Sequence, residues 1–347
     1  MRDQNNVVEW TRPGVVETSQ RAWPHADQDH TMVRPLRVGI CGSDLGIVAG
    51  KHARAQTGVV LGHEFIGYVD KENGAEKNDS ALVAVCPLIS CRERNNSYCQ
   101  ACEEGAFHIC EHLQLYGVDL DGGLSEAVSV YSSLLVPFTQ DVEPDIAVLA
   151  EPLAVAVHAV KELENALPKQ SVIFGAGPIG LLIGFLLQMN GTPPIIVEPS
   201  KSRRLEAERL GFMCVEDSDS TALEAAFGGS RPDVVIDAAG HPAVAARSVS
   251  LVKPKGEILV VGVHNEAPVV DLRAVNFKEL KIHGSRVYSI EDFREAVELI
   301  SRNALPLQNL TLKTVPWSEP QRAFDEGQKG DAFKVVLSLD PATSKGM

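Results

Sequence analysis

The stretch between residues 171 and 198 limits the possible folds of this chain more than any other. Val172-Ile173-Phe174 predicts a buried strand, and a turn with the glycine pattern GxGxxG follows it at once. An apolar helix comes next, and then a second buried strand that ends at the carboxylate of Glu198. This order of strand, glycine-rich turn, helix and acid is the context in which such a turn binds a dinucleotide.

The chemistry of a dinucleotide explains the residue types in this stretch. Glycines let backbone N–H groups approach a pyrophosphate at the N-terminus of the helix. The carboxylate of Glu198 can accept hydrogen bonds from both hydroxyls of a ribose and would repel a 2′-phosphate, so we expect NAD. Arginines just after this acid could bind a 2′-phosphate, which keeps NADP as a less favoured alternative. The residues predicted to contact the cofactor are Gly175, Gly177, Pro178, Ile179, Gly180, Glu198 and Arg203.

Four more apolar stretches follow, and helical segments separate several of them. They cover residues 213–216, 233–237, 257–263 and 280–283. Six strands alternating with helices predict an α/β fold with a doubly wound parallel sheet. We place this domain at residues 149–284.

The two ends of the chain have a different pattern. Residues 1–148 contain short apolar strands interrupted by glycine and proline, with few helical periodicities except a helical stretch that begins at Ile146. A helix over 290–302, a last helix near 320–326 and a closing strand over 332–337 follow the sheet. Because six strands already complete that sheet, we expect residues 285–347 to return to the first domain.

Four of the seven cysteines lie between positions 91 and 110. Cys99 and Cys102 form a CxxC pair, which can supply two tetrahedral ligands from one tight loop. Cys91 and Cys110 could complete a closed site of four thiolates, which would hold the lobe 86–112 in shape. Zinc is the expected metal, and an iron–sulfur cluster is the alternative.

Charge and composition exclude some classes of function. The formal net charge of −14 argues against a nucleic-acid-binding surface and against binding to an anionic membrane. The first 30 residues show no apolar targeting segment, and a cysteine cluster without one favours a metal site over disulfides. We therefore expect a cytoplasmic protein.

A second set of metal-binding residue types lies upstream of the cysteine lobe. Cys41 and Asp44 occur in the stretch Gly39-Ile-Cys-Gly-Ser-Asp, and His63 and Glu64 follow about twenty residues later. Glu151 comes far downstream, in Glu-Pro-Leu. Thiolate, imidazole and carboxylate are the ligands of a catalytic zinc, which keeps a fourth position for water or substrate.

With these motifs in this order, the chain resembles the zinc-dependent medium-chain alcohol dehydrogenases over nearly its whole length. The Glu-Pro-Leu stretch and the segment Gly284-Ser-Arg-Val-Tyr288 are most similar to the sorbitol and polyol dehydrogenase branch. The resemblance implies a GroES-like catalytic domain formed by both chain ends, with a Rossmann domain between them. It also implies a dimer or tetramer.

The resemblance assigns roles to individual residues. Cys41 and His63 would bind the catalytic zinc, together with Glu64 or Glu151, and the choice between these two carboxylates stays open. Asp44 would orient His63 through a hydrogen bond, and Ser43 would take the proton of the alcohol. Arg286 would contact the cofactor. The structural zinc would be held by Cys91, Cys99, Cys102 and Cys110.

This sequence departs from the family pattern at three places, one of which is the glycine spacing after Gly67, off by one at Asn73-Gly74. Seven residues separate Cys91 from Cys99 where the family has two, so the sequence leaves the role of Cys91 open. The histidine that usually passes the proton to solvent is replaced by Gly46, and His52 is a nearby substitute or a surface residue.

The expected reaction is the reversible oxidation of a secondary alcohol to a ketone, with hydride transfer to NAD. The substrate class is polyols, sugar acids or related hydroxy compounds, and the sequence does not specify one of them. Two alternatives remain: a zinc-free NAD(P)H-dependent reductase of the same superfamily, and a non-catalytic NAD-binding protein.

Overall fold

The structure is a computed structural model that describes residues 3–69, 81–95, 97–164, 168–216, 223 and 225–339. The strands of the described residues are β1 Gln4–Arg12, β2 Val15–Ala22, β3 His30–Ile40, β4 Glu64–Val69, β5 Leu82–Val85, β6 Leu88–Ile89, β7 Gln114–Leu115, β8 Val128–Tyr131, β9 Leu135–Pro137, β10 Ser171–Phe174, β11 Ile195–Val197, β12 Met213–Val215, β13 Val234–Asp237, β14 Glu257–Val260, β15 Lys281–Gly284, β16 Leu312–Pro316 and β17 Lys334–Ser338.

The α-helices of the same residues are α1 Gly42–Val48, α2 Gln100–Glu103, α3 Pro144–Ala147, α4 Ala150–Lys161, α5 Pro178–Met189, α6 Lys201–Arg209, α7 Pro242–Leu251, α8 Leu272–Lys278, α9 Ile290–Ser301 and α10 Pro320–Lys329. Short 3₁₀ helices cover Phe107–Ile109, Ser132–Leu134 and Leu307–Asn309. None of the helices in the described ranges has the length and apolar character needed to cross a bilayer.

The chain divides into two compact units. One unit combines the chain up to Glu151 with the chain from Ser289 onward, and the other runs from Pro152 to Tyr288.

The first unit is built on a sheet that joins both ends of the chain. Its strands lie in the order β16-β17-β3-β4-β5-β9, and β8 also pairs with β3. β17 is antiparallel to β3, with Val335 opposite Ile40 and Val336 opposite Gly39. The C-terminal segment therefore returns to the first domain and places its last strand beside the strand that leads to Cys41.

The second unit contains the parallel sheet expected from the sequence. Its six strands lie in the order β12-β11-β10-β13-β14-β15, and all five neighbouring pairs are parallel. Apolar residues of four of its strands are buried together, among them Val172, Phe174, Val235 and Ile258. Strands that are covered on both faces consist of unbroken apolar runs, and this is why the sheet could be predicted from the sequence.

The helical stretch from Ile146 is in fact the end of one helix and the beginning of another. α3 begins at Pro144, which suits the first position of a helix because proline has no N–H to leave unpaired. α4 begins at Ala150 and carries Glu151 in its first turn. An apolar period of 3.6 continues through such a short break, so the pattern alone does not show it.

Candidate active site and metal centres

Cys41 lies at the junction between β3 and α1. It precedes the first residue of α1, and its backbone N–H donates to Asp44 Oδ2 at 2.8 Å. A carboxylate in the first turn of a helix that accepts from the capping residue fixes the start of that helix. The side chains of Cys41, Ser43 and Asp44 are therefore presented by one tight, well-defined turn.

His63 is held from two sides. Asp44 Oδ1 lies 3.2 Å from His63 Nδ1, and both side chains are buried. Behind it, Gly62 has a φ of 93°, which favours glycine, and its carbonyl accepts from the backbone N–H of Gly123 at 2.8 Å. Because Nδ1 is engaged by a carboxylate, Nε2 is the nitrogen available to a metal. Ser43 Oγ lies 3.4 Å from that nitrogen.

Electrostatics at this site favour a cation. Burial alone would lower the pKa of His63, but Asp44 and Cys41 raise it well above its ordinary value. The same negative groups that favour a proton on the imidazole would favour a metal ion bound to it.

Glu64 reaches the same place from β4. It pairs with Gly39 of β3, and a Cβ at Gly39 would lie under 3.0 Å from Glu64 Oε2. Oε1 accepts from Lys334 Nζ at 2.7 Å. Oε2 is buried and has no hydrogen-bond partner among the described residues.

These three residues form a candidate metal centre. One ligand atom each from Cys41, His63 and Glu64 lie within 4.8 Å of one another. A thiolate, an imidazole and a buried carboxylate oxygen without a partner match the donor set of a catalytic zinc. The residues therefore fit the metal that the sequence predicts.

Glu151 is not part of this group of three. Burial raises the pKa of the Cys86 thiol to about 12, and the charge of Glu151 adds to that rise. The charge of Glu151 also helps to raise the pKa of Lys334. Of the two carboxylates considered from the sequence, Glu64 is the one placed among the possible ligand atoms.

The four cysteines of the lobe come together as a second group. Cys91, Cys99, Cys102 and Cys110 each offer a sulfur within 4.8 Å of the others, and all four are buried. The Sγ atoms of Cys91 and Cys110 are 3.5 Å apart, too far for a disulfide. Backbone N–H groups of Cys102 and Glu111 lower the pKa of Cys99 to about 6. Four sulfurs at this spacing fit a closed tetrahedral zinc site.

A compact turn lets Cys91 reach the group despite the long spacing to Cys99. Glu93 accepts from the backbone N–H and the hydroxyl of Ser90, at 2.8 and 2.6 Å. Arg94 donates to the carbonyl oxygens of Ser90 and His112, at 3.2 and 2.7 Å. These bonds join the two sides of the lobe next to Cys91.

The glycine-rich turn leads from β10 into α5. Gly175 has a φ of 104°, and a Cβ at Gly180 would lie under 3.0 Å from the carbonyl oxygen of Gly175. A Cβ at Gly177 would meet no atom within 4 Å, so there is free space above the turn. Pro178 and Ile179 then open the twelve-residue helix α5. Backbone N–H groups at a helix N-terminus can bind a pyrophosphate when the space beside them is free.

Glu198 is buried at the end of β11 with both oxygens fixed. Oε2 accepts from the backbone N–H of Ala176 at 2.9 Å, and Oε1 accepts from that of Ser200 at 2.8 Å. Arg204 is occupied, because it donates to the carbonyls of Glu198 and Pro199 and pairs with Glu216. Arg203 and Arg286 are exposed.

One residue of the first site was not predicted from the sequence. Lys334 is buried beside Glu64, although it lies 270 positions away in the chain. Its only signal in the sequence is a lysine inside the apolar run of the closing strand, which also suits a sheet edge.

Comparison with known proteins also points to zinc-binding dehydrogenases. Residues 27–140 match the model of the alcohol dehydrogenase GroES-like domain, and residues 178–302 match that of the zinc-binding dehydrogenases.

Similar proteins include several dehydrogenases. L-galactonate-5-dehydrogenase of Escherichia coli (strain K12) is 30% identical over 327 residues, which cover 92% of this chain and 94% of that protein. The 2-dehydro-3-deoxy-L-galactonate 5-dehydrogenase of Pseudoalteromonas atlantica is 32% identical, over 83% of this chain and 84% of that protein. Among solved structures, the alcohol dehydrogenase rspB of E. coli CFT073, solved with NADH, matches with a TM-score of 0.87 at 26% identity, over 97% of this chain and all of that one.

Proposed function

Because this chain belongs to the zinc-dependent medium-chain alcohol dehydrogenases, in their polyol-dehydrogenase-like branch, we propose that it reversibly oxidises a secondary alcohol to a ketone with NAD. Its substrate is a polyol, a sugar acid or a related hydroxy compound. The observation that carries this proposal is the group formed by Cys41, His63 and Glu64, with the Ser43 hydroxyl beside it.

Each residue of the candidate metal centre has a separate role in the proposed reaction. Cys41, His63 and Glu64 would hold zinc, which when bound lowers the pKa of a substrate hydroxyl and so favours its ionised form. Asp44 keeps His63 in the orientation that leaves Nε2 for the metal. Ser43, whose hydroxyl is 3.4 Å from Nε2, accepts the proton of the substrate.

The proposed preference for NAD rests on Glu198 and its surroundings. The carboxylate is anchored by two backbone N–H groups at the end of β11, so it cannot swing away to admit a 2′-phosphate. Arg204, which could otherwise bind such a phosphate, is engaged with two carbonyls and a carboxylate. A fixed acid and an occupied arginine both favour the dinucleotide with a free 2′-hydroxyl.

The proposal also includes the localisation of the enzyme and its oligomeric state. We place the enzyme in the cytoplasm, where thiols stay reduced, because all seven cysteines are free in the structure.

We also propose that it self-associates through β15. This strand is an edge of the parallel sheet, and exposed apolar residues lie on it and in the segment before it, namely Val269, Leu272, Phe277 and Ile282.

The test is NADH production across a panel of sugar alcohols, sugar acids and amino alcohols, with NAD and NADP and with and without a chelator. We expect oxidation of at least one polyol or sugar acid, preferentially with NAD. Chelation, Cys41→Ser and His63→Ala should each reduce kcat/KM about a thousandfold, because several kcal/mol of charge stabilisation are lost.

Cys214→Ser is the matched control, since this half-buried thiol lies in the other unit and should leave activity unchanged. Activity that survives complete removal of zinc would favour a zinc-free reductase. NADH binding without turnover of any compound, with both metal sites loaded, would favour a non-catalytic protein.

A further inference from the structure

A buried ion pair adjoins the candidate metal centre. Lys334 Nζ lies 2.7 Å from Glu64 Oε1, and the two side chains are only 4% and 1% exposed. The pairing of β17 with β3 places Val335 opposite Ile40, so Lys334 comes next to Cys41. The ammonium group is therefore built into the wall of the site by the sheet itself.

The lysine is surrounded by negative groups. Burial alone would lower its pKa, but Glu64, Cys41 and Glu151 together raise it above its ordinary value. A buried charge is stable only when it is paired and hydrogen-bonded, and Lys334 Nζ is paired with Glu64 Oε1 at 2.7 Å. Lys334 Nζ donates to Glu64 Oε1 within this buried pair.

The two oxygens of Glu64 have different surroundings. Oε1 is taken by Lys334, whereas Oε2 is buried with no partner among the described residues. Oε2 also packs against the backbone at Gly39, where no Cβ could fit. A buried carboxylate oxygen without a partner is costly, and its position implies a ligand there.

We propose that Lys334 is a positioning residue that restricts Glu64 to binding the metal through Oε2 alone, an inference that rests on the metal centre of the proposed function. The ammonium group occupies the other oxygen, so the carboxylate cannot chelate with both. It also withdraws negative charge from the centre and so limits the affinity for the metal. A carboxylate bound through one oxygen leaves a coordination position for the substrate.

The test replaces Lys334 by methionine, which keeps the apolar stem, and by arginine, which keeps the charge. In Lys334→Met, both oxygens of Glu64 become available and a neighbouring positive charge is lost. We therefore expect the affinity of this centre for zinc, measured by competition with a chelating indicator, to rise at least tenfold. Lys334→Arg should stay within about threefold of wild type.

A second readout reports the geometry directly. With zinc kept at the four cysteines and cobalt(II) placed in the other centre, the visible absorption of cobalt depends on its coordination number. A second carboxylate oxygen would convert a four-coordinate ion into a five-coordinate one, so Lys334→Met should absorb more weakly than wild type. In a Glu64→Gln background, the change from lysine to methionine should leave the spectrum unaltered, since Lys334 acts through the carboxylate.

The outcomes separate the two proposals. A wild-type protein that binds metal only at the four cysteines contradicts the proposed metal centre itself. A wild type that loads both centres, combined with an unchanged or weaker zinc affinity in Lys334→Met, overturns only the role of Lys334. Should Lys334→Met fail to fold, the Glu64→Gln/Lys334→Met variant lacks the unpaired carboxylate. A spectral difference between it and Glu64→Gln would then refute the inference.

Discussion

Gly39 and Glu64 show how an absent side chain shapes a metal site. They are cross-strand partners in β3 and β4, and the carboxylate of Glu64 lies over the backbone of Gly39. Any other residue at position 39 would place a Cβ against Oε2, the oxygen that we assign to the metal. The glycine is therefore needed for close approach rather than for an unusual backbone angle.

Gly39→Ala tests this reading. We expect the added Cβ to displace Glu64 Oε2 and to weaken zinc binding at this centre by about tenfold or more. We expect kcat/KM to fall by roughly a hundredfold, because a displacement of about an ångström costs that much in a positioned site. Competition with a chelating indicator and steady-state kinetics measure the two effects.

Gly46→Ala is the control, because a Cβ there would meet no atom within 4 Å. Position 46 lies within α1, so alanine should raise the free energy of unfolding by about 0.5–1 kcal/mol. Equal loss of zinc affinity in both variants would show that the two glycines matter for folding and not for the carboxylate.

The residue types of the metal centre could be recognised from the sequence, whereas their arrangement could not. Cys41, His63 and Glu64 offer ligand atoms typical of a catalytic zinc, and their motifs, taken together, resemble those of the zinc-dependent medium-chain alcohol dehydrogenases. The choice between Glu64 and Glu151 depends on which strand or helix carries each, and our proposal of Glu64 is supported by its place on β4 beside Cys41 and His63. Lys334 was missed because an ion pair across 270 positions leaves no local pattern.

In the cysteine lobe, too, the residue types could be recognised from the sequence, whereas their full arrangement could not. Its CxxC pair is a local signal, and it correctly points to two neighbouring sulfurs. The contribution of Cys91 depends on the turn built by Glu93 and Arg94, whose side chains bond backbone atoms on both sides of the lobe. Nothing in the spacing of the cysteines encodes that turn.

Removing one of these sulfurs should release a metal ion and loosen the lobe. We expect Cys91→Ser to lose one zinc per chain and to lower the midpoint of thermal unfolding by on the order of 5–10 °C, because structural zinc contributes directly to folding. Metal analysis and calorimetry provide the measurements.

NADH binding serves as the internal reference in that experiment, since the dinucleotide turn belongs to the other unit. It should be retained in Cys91→Ser. A variant that keeps its full zinc content would show that Cys91 is not a ligand, despite lying with the other three sulfurs.

At the scale of the whole molecule, the parallel sheet has two exposed edges of different character. β12 and β15 are its outer strands. The segment that leads to β15 exposes large apolar side chains, with Leu272 and Phe277 more than 70% accessible. Two copies of an edge strand can pair about a twofold axis, which would cover this surface in both.

Ile282→Lys should therefore convert an oligomer into a smaller species, because a lysine on an edge strand opposes pairing. Met213→Lys places the same charge on the opposite edge, at a residue that is 58% exposed, and should leave the assembly intact. Sedimentation velocity at micromolar concentration distinguishes the two variants. A wild type that sediments as a monomer would refute self-association at once.

The position of β17 has a consequence for how this protein folds during its synthesis on the ribosome. The central unit is continuous in sequence and can fold as soon as it has been synthesised, but the sheet around Cys41 lacks the strand next to β3 until β17 has been synthesised. Until then Glu64 has no ammonium partner, and the nascent N-terminal segment presents a thiol, an imidazole and an uncompensated acid together. Zinc bound before β17 pairs with β3 would meet a more negative set of ligands than in the folded protein, so the docking of β17 would itself change how tightly the ion is held.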